Sequence, residues 1–95
     1  MHKLKQSEIE DIQNGISALV DVRSIDEFNS GHAAYAINLP LNEIDTIKID
    51  KLKKIYVYCA SGGRSQMAES ALTQLGYDVT NIGGFYNAVD TMGEA

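Results

Sequence analysis

The stretch KIYVYCASGGRSQMAESAL, residues 54–72, constrains the fold more than any other part of this 95-residue chain. It opens with a nearly continuous apolar run, residues 54–59, which is typical of a strand buried on both faces of a parallel sheet. A glycine-rich turn with Arg64 follows at once, and apolar residues then recur at helical spacing over 65–75. The stretch therefore predicts a buried strand, a tight loop and a helix, with the chain's only cysteine, Cys59, at the strand exit.

The remaining pattern alternates strands with helices. Two Ser-x-x-Glu boxes predict helix starts at Ser7, with Glu10 reaching back, and at Ser24. Further strands are expected at 17–22, 35–40 and 77–82, a helical turn within 41–50, and a last helix over 85–92. The buried face of the 65–75 helix is expected to consist of Met67, Ala68, Ala71, Leu72 and Leu75. This alternation predicts a single domain over residues 1–95, an α/β three-layer sandwich whose mainly parallel central sheet is flanked by helices.

Charge and cysteine content exclude several classes of protein. The formal net charge of −5 argues against a nucleic-acid partner, because phosphate binding depends on clustered Lys and Arg. One cysteine cannot form an internal disulfide, and a lone thiol fits a reducing compartment. The sequence contains no apolar leader and no stretch of membrane-spanning length. We therefore expect a cytoplasmic protein that binds neither nucleic acid nor membrane.

The loop CASGGRS, residues 59–65, combines a thiol with the features of an anion site. A sharp turn here aims successive backbone N–H groups into one hollow, and Gly62 and Gly63 permit the required conformations. The following helix adds the positive end of its dipole, and Arg64 adds a full charge. Each of these favours the thiolate, so we expect Cys59 to be an exposed nucleophile with a lowered pKa.

Two other interpretations of this loop are open. A free cysteine is most often a small buried apolar residue, although the strand-exit position and the Gly-Gly-Arg that follows argue otherwise. A Cys-x5-Arg loop would indicate phosphate-ester hydrolysis, but here the spacing from Cys59 to Arg64 is Cys-x4-Arg. The shorter loop suits a sulfur-bearing anion better, and Tyr58 stands where tyrosine phosphatases carry a histidine.

Three segments together resemble the small single-domain members of the rhodanese family. LVDVRSIDEFNSGHAAYAINLPL (19–41) is similar to the family's Asp-Val-Arg, Glu-Phe, Gly-His and Ala-x-Asn-x-Pro signature. IYVYCASGGRSQMAESALTQLGYDV (55–79) resembles its strand, active-site loop and helix, and NIGGF (81–85) resembles the segment before the last helix. The three segments have the family's order and spacing and span nearly everything from residue 16 onward.

The resemblance implies a sulfurtransferase that carries sulfane sulfur as a persulfide on Cys59. The implied donor is a small sulfur-bearing anion such as thiosulfate, or a persulfide, and the acceptor is cyanide, a thiol or a partner protein. Neither a metal nor an organic cofactor is expected. The implied substrate-binding residues, through backbone N–H groups and one guanidinium, are Ala60, Ser61, Gly62, Gly63, Arg64 and Ser65. Asp21, Arg23 and His32 match signature positions, and we expect all three to support the site structurally.

The sequence departs from the family pattern at three places. Ala33-Ala34-Tyr35 replaces the common Ile-Pro-Gly, and Ala60 stands where many relatives carry arginine, which puts the preferred donor in doubt. Ala88 replaces a frequent tryptophan, so we expect a loosely packed C-terminal end. Two alternatives to the sulfurtransferase stay open: a non-catalytic binding module on this fold, and a small cysteine-based phosphatase or arsenate reductase. We expect the protein to be a monomer.

Overall fold

The computed structural model describes residues 2–95 as a four-stranded parallel sheet with helices on both faces. The strands lie in the order β2-β1-β3-β4. Their bounds are β1 Ser17–Asp21, β2 Ala36–Asn38, β3 Lys54–Tyr58 and β4 Val79–Gly83. The helices are α1 Gln6–Gln13, α2 Ile25–Asn29, α3 Gly63–Gln74 and α4 Phe85–Met92, with a 3₁₀-helix at Leu41–Thr46. The predicted α/β architecture is confirmed, and every strand pair is parallel.

The core lies on both faces of the sheet, and β3 contributes to each in alternation. Tyr56 and Tyr58 pack on one face with Leu19 and with residues of α1 and α4. Ile55 and Val57 pack on the other face with residues of α3 and the 3₁₀-helix. Successive side chains of a strand point to opposite faces, so a strand covered on both sides must be apolar throughout. This arrangement is the one that the apolar run 54–59 predicted.

The start of α1 differs from its prediction. Lys5, not Ser7, is the N-cap of the helix. Its backbone N–H donates to the Glu8 carboxylate at 2.8 Å. Glu8 also accepts a hydrogen bond from the hydroxyl of Tyr56 in the central strand at 3.0 Å. This tertiary contact ties Glu8 to the sheet and moves the helix start away from the Ser7–Glu10 box.

The α3 helix begins two residues before Ser65, and its buried face matches the expected one only in part. Gly62, at φ 106°, turns the chain so sharply that helical geometry starts at Gly63. Met67 and Leu75 are 62% and 40% exposed, so these two members of the expected apolar face are wrong, whereas Ala68 and Leu72 are buried and Ala71 packs against the same cluster. The buried residues of α3 are Ser65, Ala68 and Leu72.

The C-terminal end is bound to the rest of the chain, contrary to expectation. Ala88 is fully buried in α4. Beyond that helix, the N–H of Ala95 donates to the carbonyl of His32 at 2.9 Å, and the N–H of Ala34 donates to the carbonyl of Gly93 at 2.8 Å. Backbone hydrogen bonds therefore fasten the C-terminal end even though Ala88 is small.

Candidate active site

The loop after β3 lies at the carboxyl edge of the sheet, where ligands of parallel α/β sheets gather. The N–H of Cys59 donates to the carbonyl of Gly83 at 3.0 Å, and the N–H of Phe85 donates to the carbonyl of Ala60 at 3.2 Å. A Cβ on Gly84 would approach the Ala60 carbonyl oxygen to 2.7 Å, well inside contact distance. The end of β4 therefore fixes the loop from one side, and only glycine fits at this crossing.

Two polar groups converge on the sulfur of Cys59. The N–H of Gly62 donates to Sγ at 3.0 Å, and the hydroxyl oxygen of Ser65 lies 3.4 Å from Sγ. Ser65 is fully buried; its hydroxyl oxygen accepts from the thiol, its proton is donated to the carbonyl of Gly62 at 3.0 Å, and in the thiolate form that proton can turn to Sγ. The left-handed conformation of Gly62 turns its N–H toward the sulfur, and Ser65 sits in the first turn of α3.

This polar setting lowers the pKa of the Cys59 thiol. Burial opposes ionisation, but hydrogen bonds from the Ser65 hydroxyl and from the backbone N–H groups of Ser65, Gly62 and Ser61 outweigh it. A cysteine buried among apolar groups alone would be shifted the other way. The hollow around Sγ therefore stabilises a thiolate, as the loop sequence predicted.

The thiol is not exposed, which corrects the expectation from sequence. Cys59 is 1% exposed and packs with Val57, Ala68 and Leu72 on the α3 side of the sheet. A reagent can reach the sulfur only if the loop or a neighbouring side chain moves. The loop sequence predicted a backbone N–H at the sulfur but not the Ser65 hydroxyl, and it placed the sulfur too close to the surface.

Arg64 pairs with a carboxylate that the sequence analysis left without a role. Its two terminal nitrogens donate to the two oxygens of Glu27 at 2.7 and 2.9 Å. Glu27 in turn accepts from the N–H and the hydroxyl of Ser24, each at 3.1 Å. The predicted capping box of α2 therefore also places a carboxylate over the active-site loop. The box was visible in the sequence, but its contact with Arg64, 37 residues away, was not.

These contacts fix the charge states of both partners. Hydrogen bonds from Arg64 and from the Ser24 backbone lower the pKa of Glu27 to about 2. The hydrogen bond to Glu27 is the main factor that raises the pKa of Arg64, and the charge of Cys59 adds to it. Arg64 is therefore bound in a two-pronged ion pair with Glu27 and not to the thiol.

Asp21 and Arg23 form a second, buried ion pair at the end of β1. Arg23 Nη2 donates to Asp21 Oδ2 at 2.7 Å and to the carbonyl of Gly31 at 2.6 Å, and its Nε donates to both carboxylate oxygens at 3.0 Å. The guanidinium lies 4.7 Å from the ring centroid of Phe85 at the start of α4. The pair links β1, the turn after α2 and the segment after β4, all around the Cys59 loop.

His32 and Asn38 hold neighbouring turns in place. His32 Nδ1 donates to the carbonyl of Phe28 at 2.9 Å, and the two rings stack 3.7 Å apart. Asn38 Nδ2 donates to the carbonyls of Asp21 and Arg23, both at 3.0 Å. The sequence pattern indicated no role for Asn38. Its contacts tie the end of β2 to the Asp21–Arg23 pair.

The other loop residues present backbone rather than side chains. Ala60 and Ser61 are exposed, and a Cβ on Gly63 would meet nothing within 4 Å. Across residues 2–95, no three metal-ligating side chains cluster. No helix in that range is long and apolar enough to cross a membrane.

Comparison with known proteins shows the family of this strand–loop–helix fold. Residues 5–91 match the family described as Rhodanese-like domain. The chain belongs to the rhodanese-like domain family.

Named relatives include sulfurtransferases. The chain is 37% identical over 70 residues to thiosulfate sulfurtransferase PspE of Escherichia coli, covering 68% of this chain and 67% of PspE. It is also 37% identical over 78 residues to the adenylyltransferase and sulfurtransferase uba4 of Ogataea parapolymorpha, covering 79% of this chain and 18% of uba4. The chain therefore spans less than a fifth of uba4 and about two thirds of PspE.

A solved structure gives the same assignment. The structure titled "rhodanese with anions from E. coli" superposes with a TM-score of 0.74 at 32% identity, covering 83% of this chain and 96% of that one. A rhodanese-related protein from Thermoplasma volcanium also gives a TM-score of 0.74, at 29% identity, over 95% of this chain and 92% of that one. The fold is thus shared over nearly the whole described chain.

Proposed function

We propose that the protein is a sulfurtransferase that carries sulfane sulfur on Cys59. The observation that carries this proposal is the convergence of the Gly62 N–H and the Ser65 hydroxyl on Sγ, in a chain of the rhodanese-like family. A structural cysteine has no need of a backbone N–H aimed at its sulfur. A thiolate nucleophile needs one, because its charge must be held inside the protein.

The proposed reaction has two displacement steps. The Cys59 thiolate attacks the outer sulfur of the donor, an S–S bond to Cys59 forms, and the donor's S–S bond breaks. The donor's remaining part, sulfite or a thiolate, leaves with the electron pair. An acceptor nucleophile then attacks the outer sulfur on Cys59 and returns the electron pair to Sγ, where Gly62 and Ser65 stabilise the regenerated thiolate.

Residues around the loop complete the proposed site. The N–H groups of residues 60–65 bind the anionic end of the donor, while the Asp21–Arg23 pair and His32 hold the surrounding turns. The relatives include a protein of Bacillus subtilis named as a putative sulfur carrier, YrkF, which supports a role in sulfur relay. We further propose that the chain is one cytoplasmic, monomeric domain that acts without a metal or organic cofactor.

A non-catalytic binding module is the second candidate, because Cys59 is only 1% exposed. A steady-state assay separates the two. The protein would be given thiosulfate or an organic persulfide as donor and cyanide as acceptor, and thiocyanate would be measured. We expect turnover with parallel double-reciprocal lines, the pattern of a covalent relay. A Cys59→Ser variant that folds should form none, whereas a binding module would give no turnover in either protein.

A further inference from the structure

The cations next to the Cys59 loop are already paired with carboxylates. Arg64 is bound at both terminal nitrogens by Glu27, and Arg23 is bound by Asp21. Ala60 supplies no charge to the loop. Within residues 2–95, the ion pairs around this loop therefore cancel, and the surroundings of the thiolate hold no uncompensated arginine.

The Arg64–Glu27 pair lies between two open clefts. One, of about 340 Å³, is lined by Val22, Pro40 and Leu41 together with Arg64. The other, of about 390 Å³, contains Glu27 and Arg23. Arg64 and Arg23 are the only cations lining either cleft, and both are in the ion pairs described above. The first cleft offers apolar side chains to the body of a ligand beside the loop.

Glu27 is held in position beside Arg64 by its own helix. The N–H and the hydroxyl of Ser24 both donate to its Oε1, and they anchor it at the start of α2. Its pKa of about 2 keeps it ionised at any ordinary pH. A dianion such as thiosulfate would have to compete with this tethered carboxylate for Arg64. A tethered partner competes at a high effective concentration, so the competition favours Glu27.

An organic persulfide, R–S–SH, meets no such barrier. It carries at most one charge on its sulfurs, against two for thiosulfate, and the protonated form R–S–SH that reacts carries none there, while its carbon chain suits the cleft lined by Val22, Pro40 and Leu41. The step balances: the Cys59 thiolate forms a bond to the outer sulfur, the donor S–S bond breaks, and R–S⁻ leaves with the electron pair. The proton stays on the new Cys59 persulfide.

We infer that Glu27 is a specificity-determining positioning residue that neutralises Arg64 and makes the site select organic persulfides over dianionic donors. This inference rests on the proposed sulfur transfer at Cys59. It assigns to the Ser24–Glu27 capping box a role in donor choice beyond the start of a helix.

The test replaces Glu27 by Gln, which keeps the shape and can still complete the capping box but leaves Arg64 uncompensated. For thiosulfate, kcat/KM should rise about tenfold, mainly through KM, which corresponds to ~1.4 kcal/mol of binding free energy. For an organic persulfide, kcat/KM should stay within about threefold. Glu27→Asp, which keeps the charge, should behave like the natural protein.

Asp26→Asn is the matched control. Asp26 lies beside Glu27 in the same helix and lines the same cleft, but no cation within residues 2–95 pairs with it. The substitution changes the net charge equally without releasing Arg64, so it should leave the ratio of the two donors within about twofold. A rise in thiosulfate activity equal to that of Glu27→Gln would overturn the inference in favour of a general charge effect.

A second measurement does not depend on sulfur transfer. Alkylation of Cys59 by anionic iodoacetate and by neutral iodoacetamide reports the charge selectivity at the thiol directly. In Glu27→Gln the iodoacetate rate should rise relative to iodoacetamide, and in Asp26→Asn it should not. An unchanged ratio in Glu27→Gln overturns the inference even if sulfur transfer is found. A changed ratio without any loading of Cys59 by either donor overturns the proposed function instead, and the charge-selecting role of Glu27 stands.

Discussion

Sulfur transfer at Cys59 requires that a buried thiol can ionise. Burial alone would raise the pKa of Cys59, but the Ser65 hydroxyl and three backbone N–H groups lower it. Ser65 is as deeply buried as the cysteine and contacts both Sγ and the Gly62 carbonyl. The Ser65 hydroxyl therefore lowers the pKa of the thiol by an amount that substitution can remove. The backbone N–H groups lower it further, and substitution cannot remove their effect.

Replacing Ser65 by Ala should raise the pKa of Cys59. One hydrogen bond to an ionised group is lost, so the midpoint of the pH profile for iodoacetamide alkylation should move up by about one unit. Because the natural pKa is lowered, the natural protein reacts at lower pH than the variant. Ser70→Ala, on the exposed side of α3, should leave the midpoint unchanged. A midpoint that does not move in Ser65→Ala would show that the backbone alone holds the charge.

Contacts between residues close together in the sequence could be predicted, whereas contacts between distant segments could not. The capping box of Ser24 and Glu27 is local and was predicted, and of the two glycines expected to shape the loop only Gly62 takes a left-handed conformation. The Glu27–Arg64 pair and the hydrogen bond from Asn38 to the Asp21 carbonyl join distant segments, and no local pattern encodes them. Burial of Cys59 was also missed, because a strand exit does not reveal how deep a sulfur lies.

At the scale of elements, strand positions followed from the sequence better than helix starts did. The apolar run of β3 indicated a buried central strand, because a strand covered on both faces is apolar throughout and has no alternating pattern. The start of α3 was displaced because Gly62 turned the chain earlier than the apolar spacing indicated. Ser65, a polar residue, occupies the buried face where periodicity had placed Met67 and Leu75.

Gly84, just after β4, packs against the backbone of the Cys59 loop, so we expect this position to tolerate no side chain. Gly84→Ala would place a methyl group 2.7 Å from the Ala60 carbonyl oxygen, so the loop or β4 must shift. We expect a loss of about 1–3 kcal/mol in the free energy of unfolding, and slower alkylation of Cys59.

Gly63→Ala is the stability control for that substitution. A Cβ at this position meets nothing within 4 Å, and the residue opens α3. Its unfolding free energy should be unchanged or raised by about 0.5–1 kcal/mol, because alanine restricts the unfolded chain. Equal destabilisation by the two alanines in urea denaturation would mean that glycine flexibility, not the crossing, is what matters at position 84.

At the scale of the whole molecule, two ion pairs connect the elements that surround the thiol. Arg23 joins the end of β1 to the turn at Gly31, and Arg64 joins α3 to α2 through Glu27. The chain as a whole carries a formal charge of −5, and its field therefore also disfavours anionic donors. Local pairing and overall charge thus point to the same class of donor.

The Arg64–Glu27 pair predicts a specific acid dependence of stability. The Glu27 pKa is about 2 in the folded protein and ~4.3 when unfolded, so the pair stabilises the fold above pH ~4.3 and loses this effect as the pH falls toward 2. The difference in unfolding free energy between the natural protein and Glu27→Gln should be constant from pH 6 to 8 and shrink below about pH 4. It should also be small, because both side chains are more than a third exposed. Urea denaturation at several pH values measures it, and a difference that persists unchanged to about pH 2 would contradict the assignment.

Sulfur transfer through Cys59 can be tested by the mass of the intact protein after incubation with a sulfur donor. With an organic persulfide, we expect a gain of about one sulfur atom that dithiothreitol or cyanide removes and that Cys59→Ser lacks. With thiosulfate, the gain should be slower and should be accelerated in Glu27→Gln. If the mass does not change with either donor while Cys59 still reacts with iodoacetamide, the thiol is accessible but does not carry sulfur. That result would contradict the account and favour a binding module.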